Sequence, residues 1–325
     1  MGQAMILGTG RGLPKRILTN DDLAKIVDTS DEWITTRTGI KQRRKAVAGE
    51  ETSQLAAEAG RDALRDAGLS VDDLDMIIVA TVTADMIMPS CACLVQKHLG
   101  AQGCFAFDVN AACSGFLYAC SVAEKYIQAD GSKKILVIGA ETMSSRVDWQ
   151  DRNTCVIFGD GAGAVILGGG VDGRGFIAET MFSDGDLYEL LYVDNAQSMN
   201  DDLQNPDYDG SYIRMAGREV FKHAVRAMAQ AVDAVLVKAG VSPEELTLVI
   251  PHQANIRIIN KLGATLGLPP EKVYVNVDKY GNTSAASIPL ALAEASREGR
   301  MQPGDYVLFC AFGGGFTWGA QLFRW

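Results

Sequence analysis

Apolar positions along the chain fall into two alternating rhythms. Short, nearly continuous runs, MIIVATV (76–82), KILVIGA (134–140), LVIPH (248–252) and YVLFCAF (306–312), have the length and composition of strands buried on both faces. Between such runs lie longer Ala-rich stretches with helical spacing, closing on a glycine at Gly68 and Gly240. Each half of the chain is therefore predicted to run β-α-β-α-β-α-β-β. The segment from about 170 to 215, with NAQSMNDDLQNPDYDGSY, is polar and aperiodic and reads as a long surface connection or cap.

The rhythm repeats in register. Ala67-Gly68-Leu69-Ser70 followed by Asp72-Asp73-Leu74 matches Ala239-Gly240-Val241-Ser242 followed by Glu244-Glu245-Leu246, 172 positions later. The same offset carries Asn110 onto Asn282 and KILVIGA onto YVLFCAF. Two fused, similar layered α/β halves related by a pseudo-twofold are expected, residues 1–172 and 173–325, with 173–215 as the polar connection. A site between the halves follows from that symmetry.

Composition narrows the partners. A formal charge of −10 over 325 residues argues against nucleic acid, so an anionic partner needs a local basic patch. No apolar run approaches a membrane span, and MGQAMILGTGRG lacks the basic start and long apolar stretch of a leader. The seven cysteines, an odd number lying mostly in apolar segments, suit reduced thiols in cytoplasm.

Three residues stand out chemically. Cys113 lies in the first turn of an expected helix, where unpaired N–H groups favour thiolate; a buried structural cysteine is the alternative. His252 directly follows an apolar strand, a place where functional groups collect, although a merely hydrogen-bonded histidine fits as well. Asn282 opens another helix and has the form of a simple N-cap, yet the repeat sets it in the segment matching that of Cys113.

Glycine strings divide by context. GTGRG (8–12) follows a short strand but lacks the spacing and following helix of a dinucleotide site, and FGDGAGAVILGGG (158–170) leads into a strand as packing and turn glycines do. Gly313-Gly314-Gly315 lets backbone N–H groups approach a ligand, or forms a tight turn between strands. Cys91 and Cys93 have no companions at zinc spacing, so no metal site is expected.

Taken together, DTSDEWITTRTGI (28–40), DVNAACSGF (108–116), FGDGAGA (158–164), PHQANIRI (251–258), GNTSAAS (281–287) and AFGGGFTWG (311–319) make the chain resemble the 3-oxoacyl-(acyl-carrier-protein) synthase III family of the thiolase-like superfamily. The resemblance covers nearly the whole chain. It implies a duplicated five-layered αβαβα fold, a cytoplasmic homodimer, and a triad of Cys113, His252 and Asn282, with Gly314 helping Cys113 hold an oxyanion. The implied reaction joins an acyl-CoA, with acetyl-CoA as expected donor, to malonyl-acyl carrier protein, releasing CoA and CO₂ and starting type II fatty-acid synthesis. CoA is a substrate here, and no metal or redox cofactor is implied. Coenzyme A is expected on Thr29, Trp33, Arg37, Arg152, Gly217, Ala254 and Asn255, with Met88 at the end of the acyl pocket. Lys222, Arg257 and Lys261 are the expected basic contacts of the acidic carrier, although Ala264 and Thr265 replace the family's usual basic pair.

Other readings on the same scaffold are a condensing enzyme of secondary metabolism and a noncatalytic acyl-binding protein. A degradative thiolase needs a second catalytic cysteine beside the C-terminal glycines, and Cys310 sits one residue too early on an apparent buried strand.

Overall fold

Strands and helices alternate through the first half in the predicted order. In the computed structural model, which describes residues 3–170 and 173–325, these elements are β1 (Ala4–Gly12), α1 (Thr52–Ala67), β2 (Met76–Ala80), α2 (Cys91–Leu99), β3 (Phe105–Val109), α3 (Gly115–Ala129), β4 (Lys134–Thr142) and β5 (Asp160–Gly169). They form a five-stranded sheet of order β1-β5-β4-β2-β3. Strand β2 runs parallel to β3 and β4, and β5 runs antiparallel to β1 and β4. Every residue of β2 is buried, which explains why its sequence is a continuous apolar run.

The second half repeats this pattern. It contains β6 (Gly175–Ser183), α4 (Gly217–Ala239), β7 (Leu246–Pro251), α5 (Ile256–Thr265), α6 (Ser287–Arg297), β8 (Tyr306–Gly313) and β9 (Thr317–Arg324), with sheet order β7-β8-β9-β6. Strands β4 and β8 begin 172 residues apart, as do helices α3 and α6, in the offset read from sequence. The expected boundary at 172/173 falls against positions 171–172, outside the described residues.

One predicted strand is missing from the second half. Where β3 would recur, only an isolated bridge joins Val249 to Val273. The buried side chain of Gln253 takes the place of a ladder: its Nε2 donates to the carbonyls of Pro251 (2.9 Å) and Tyr274 (3.0 Å), and its Oε1 accepts from the N–H groups of Asn276 and Val277. A side chain thereby satisfies backbone groups that a neighbouring strand would otherwise pair.

Alternation along the strands builds the layers. Ile77 and Val79 face α1 and α2, whereas Ile78 and Ala80 face a central cluster containing α3 and α6. In the second sheet Leu248 and Ile250 face that same centre, and Val249 faces α4 and α5. The result is five layers, αβαβα, of thiolase-like form. The string GTGRG lies inside β1 rather than after a strand, and its glycines are packing positions: a Cβ at Gly10 would sit 2.1 Å from the Ala59 carbonyl of α1. Gly139 on β4 admits the second half in the same way, since a Cβ there would lie 2.1 Å from the carbonyl of Ala285. The polar connection contributes a short antiparallel pair, 191–193 with 213–215, beside the site.

Candidate active site

Two equivalent turns meet at the pseudo-twofold. After β3 the chain makes a tight turn, Ala112–Ser114, before α3; in the second half Ser284–Ala286 makes the same turn before α6. Among the described residues, Ala112 (φ 45°) and Ser284 (φ 50°) are the non-glycine residues held in the left-handed region, and they occupy equivalent positions in the repeat. Such backbone is costly for a side chain and persists only where its surroundings enforce it. Here the β8–β9 turn does so. A Cβ on Gly313 would lie 2.7 Å from the Cys113 nitrogen, Ser114 Oγ donates to the Thr317 carbonyl (3.0 Å), and Thr317 Oγ1 donates to the Ala111 carbonyl (3.0 Å). Gly314 is thus fixed beside Cys113.

Cys113, His252 and Asn282 all face one cavity of about 1150 Å³, together with Gly314. Cys113 belongs to the tight turn ahead of α3, and burial pushes its thiol up to about 11, opposed by the hydroxyl of Ser284. Burial also lowers His252 to about 4, so its imidazole is neutral at physiological pH. Its backbone N–H is held by the Cys310 carbonyl (2.8 Å), while its buried Nδ1 has no hydrogen-bond partner. Asn282 is held by its own N–H on the Ile157 carbonyl (2.9 Å) and caps its turn, its Oδ1 accepting the N–H of Ser284 (2.8 Å). That arrangement leaves the Nδ2 donor for the cavity, so the capping and cavity-facing readings of Asn282 are both correct.

Sequence reading did not single out Glu141 or Ser284. Glu141, at the end of β4, is fully buried and accepts from Thr81 Oγ1 (3.2 Å), Thr83 Oγ1, the Val82 N–H and Ser284 Oγ (3.0 Å). Burial nevertheless raises it to about 7. The available signal was a carboxylate ending the apolar run KILVIGAET, at the repeat position occupied by Gly313 in the other half.

The cavity mouth is built on the short helix Asp31–Thr38. Ser30 caps it by accepting from the Trp33 N–H (3.1 Å), and Arg37, one turn on, sets its guanidinium 4.6 Å from the Trp33 ring centre. Arg152 approaches the same ring to 5.0 Å while donating to the Asp28 carbonyl. Gly217, Ala254 and Asn255 line the wall, and Asn255 Nδ2 donates to the Arg37 carbonyl, tying α5 to the mouth.

Other expected site residues lie apart. Thr29 is outside the cavity wall, with a buried, unpartnered Oγ1. Met88 is 83% exposed and does not line the cavity, whereas neighbouring Ile87 does. Arg257 and Lys261 are exposed one turn apart on α5, with Arg257 Nη2 donating to the Thr36 carbonyl (3.0 Å). Lys222, on α4, pairs with Glu219 (2.8 Å) and lines a separate groove. Among the described residues no helix is long and apolar enough to cross a membrane, and no group of three or more His, Cys, Asp or Glu side chains is placed to hold a metal.

Comparison with known proteins agrees with this geometry. The family described as 3-oxoacyl-[acyl-carrier-protein (ACP)] synthase III matches residues 107–185, and its C-terminal counterpart matches 236–325. The chain is 57% identical to the β-ketoacyl-[acyl-carrier-protein] synthase III of Desulfotalea psychrophila over 99% of both chains. It is 56% identical to that of Aquifex aeolicus over 98% of this chain and 99% of the other. The crystal structure of the Aquifex aeolicus 3-oxoacyl-[acyl-carrier-protein] synthase III superposes with a TM-score of 0.93 at 55% identity, covering 99% of this chain and all of that one.

Proposed function

The chain belongs to the 3-oxoacyl-[acyl-carrier-protein] synthase III family and is an acyltransferase of the initiating condensation in fatty-acid synthesis, and we propose that it carries the acyl group on Cys113. The observation carrying this assignment is that Cys113, His252, Asn282 and Gly314 wall one cavity whose mouth holds Trp33 with two guanidiniums near its ring. Cys113 attacks the acyl-CoA thioester, and the developing oxyanion is held by the backbone N–H groups of Cys113 and Gly314 as CoA leaves. Malonyl-acyl carrier protein then loses CO₂, and hydrogen bonds from His252 and Asn282 stabilise the enolate oxygen. A neutral imidazole suits that task, since it donates a hydrogen bond without protonating the carbon nucleophile. The enolate carbon attacks the acyl-Cys113 carbonyl and frees the thiol. No metal or redox cofactor enters this sequence.

Substrate contacts follow from the same layout. Trp33, with Arg37 and Arg152 near its ring, suits stacking with adenine, while Gly217, Ala254 and Asn255 border the CoA path. Arg257, Lys261 and Lys222 supply positive charge for the acidic carrier protein. A homodimer is supported by β3, an edge strand whose Phe105 is 50% exposed and contacts half-open Tyr126. Met88 bounds an acyl pocket only across such an interface. The seven free cysteines suit the cytoplasm.

The test separates the half-reactions. His252→Ala and Asn282→Ala should each lower CO₂ release from malonyl-acyl carrier protein by about 10²-fold to 10³-fold, leaving most of the acylation of Cys113 intact. Equal losses in both steps would instead make these residues general supports of the site.

A further inference from the structure

His252 and Asn282 stand on different stretches of chain, and both can serve one oxygen only if those stretches keep a fixed separation. Gln253, the residue after His252, is placed to set it. Its side chain is buried, and all four hydrogen-bonding positions of its amide are used. Nε2 donates back to the carbonyl of Pro251, the residue before His252, and across to that of Tyr274; Oε1 accepts the N–H groups of Asn276 (2.9 Å) and Val277 (3.2 Å). With both donors on carbonyls and both lone pairs on N–H groups, the amide has one workable orientation.

These bonds reach toward both members of the pair. On the His252 side, the Gln253 N–H donates to Ser287 Oγ (2.6 Å) on α6, so the backbone is tied down immediately before and immediately after the histidine. On the Asn282 side, Val277 opens the short helical turn Val277–Tyr280, and its carbonyl accepts the N–H of Gly281 (2.9 Å), the residue before Asn282. Buried Glu294 on α6 holds the same segment, accepting from Asn276 Nδ2 (2.9 Å) and the Tyr280 hydroxyl (2.6 Å). None of these partners belongs to the turn that carries Cys113.

Resting on His252 and Asn282 as the donors to the enolate oxygen, we propose that Gln253 is a positioning residue for decarboxylation, fixing the imidazole and the Asn282 amide relative to each other. It acts through them, since His252, Ala254 and Asn255 line the cavity and Gln253 does not. Removing the amide leaves two carbonyls and two N–H groups unpaired in the interior, and the segment bearing Asn282 loses its tie to the segment bearing His252. A displacement of about 1 Å in a reacting geometry costs about 10²-fold in rate. Acylation of Cys113 draws on the backbone of Cys113 and Gly314 instead, so that step is spared.

The experiment measures single-turnover CO₂ release from malonyl-acyl carrier protein beside acylation of Cys113 by acetyl-CoA, on the wild type, Gln253→Met, His252→Ala and the double variant. Gln253→Met should release CO₂ about 10²-fold more slowly while keeping most of its acylation. In the His252→Ala background the same replacement should cost less than about tenfold more, because one of the groups it positions is already gone. If Gln253→Met does not fold, Gln253→Glu decides by its pH profile. Its side chain offers a donor only when protonated, so CO₂ release relative to the wild type should fall as pH rises from about 6 to 8. A folded Gln253→Met that releases CO₂ at the wild-type rate, loses both steps equally or repeats its full loss in the double variant overturns the positioning role, as does a Gln253→Glu profile parallel to that of the wild type. Undiminished CO₂ release by His252→Ala would instead overturn the assignment of donors on which the inference rests.

Discussion

Glu141 and His252 titrate in opposite senses, so unfolding measurements on single variants should separate their contributions. Burial lifts Glu141 from its ordinary 4.5 to about 7 and lowers His252 from 6.5 to about 4. Between pH 4.5 and 6.5 both groups are neutral in the folded protein and charged in the unfolded chain. Folded Glu141 holds a proton that the unfolded chain has released. Its contribution to stability is therefore fully present below pH 4.5 and is lost as pH rises through 7. Folded His252 lacks a proton that the unfolded chain binds, so its contribution is fully present above pH 6.5 and is lost as pH falls through 4. Crossing either window, roughly 2.5 pH units wide at about 1.4 kcal/mol per unit, amounts to about 3 kcal/mol. In the wild type the two slopes cancel where the windows overlap. Removing one group exposes the other. Relative to the wild type, Glu141→Gln should gain about 3 kcal/mol as pH rises from 4.5 to 7, and His252→Asn should gain about the same as pH falls from 6.5 to 4. Equilibrium urea unfolding followed by circular dichroism across this range measures both differences. A constant offset between either variant and the wild type would mean that the replaced group keeps one charge state in both forms, refuting the reasoning for that residue.

Two further outcomes concern the mouth and the outer face. Trp33→Ala removes the ring that Arg37 and Arg152 approach, and should raise the KM for acyl-CoA about tenfold with little change in kcat; steady-state kinetics showing an unchanged KM would remove Trp33 from the CoA path. Arg257→Glu combined with Lys261→Glu should weaken use of malonyl-acyl carrier protein far more than acylation by free acyl-CoA, most strongly at low salt. Equal effects on the two substrates would place carrier docking elsewhere.

The fold was legible where burial imposes a pattern. Strands such as β2, covered on both faces, read as continuous apolar runs, and the 172-residue offset recovered the equivalence of β4 and β8 in the two sheets. The lost strand was hidden because VYVNV has strand character, while the side chain that replaces its ladder, Gln253, comes from 20 or more residues earlier. Cys113, His252 and Asn282 were legible as residues at element ends, but their electrostatics were not. Cys113 stands in the turn that leads into α3, as its sequence context indicates, but the burial that pushes its thiol up has no local signature in the sequence. Glu141 and Ser284 are 143 residues apart and come together only when the halves close, so no local pattern marks them. Met88 was expected at the acyl pocket, yet it is exposed and lies off the cavity wall, which its neighbour Ile87 lines instead.

The central claim is that Cys113 carries the acyl group, and intact-mass spectrometry with peptide mapping after exposure to acetyl-CoA tests it most directly. The wild type should gain the mass of one acetyl group on the peptide containing Cys113, lose it on addition of malonyl-acyl carrier protein, and release CO₂ in the same turnover. Cys113→Ala should remain unlabelled. Stable labelling of Cys310 or Cys155 in its place, or an acyl group on Cys113 that malonyl-acyl carrier protein does not discharge, would contradict the account.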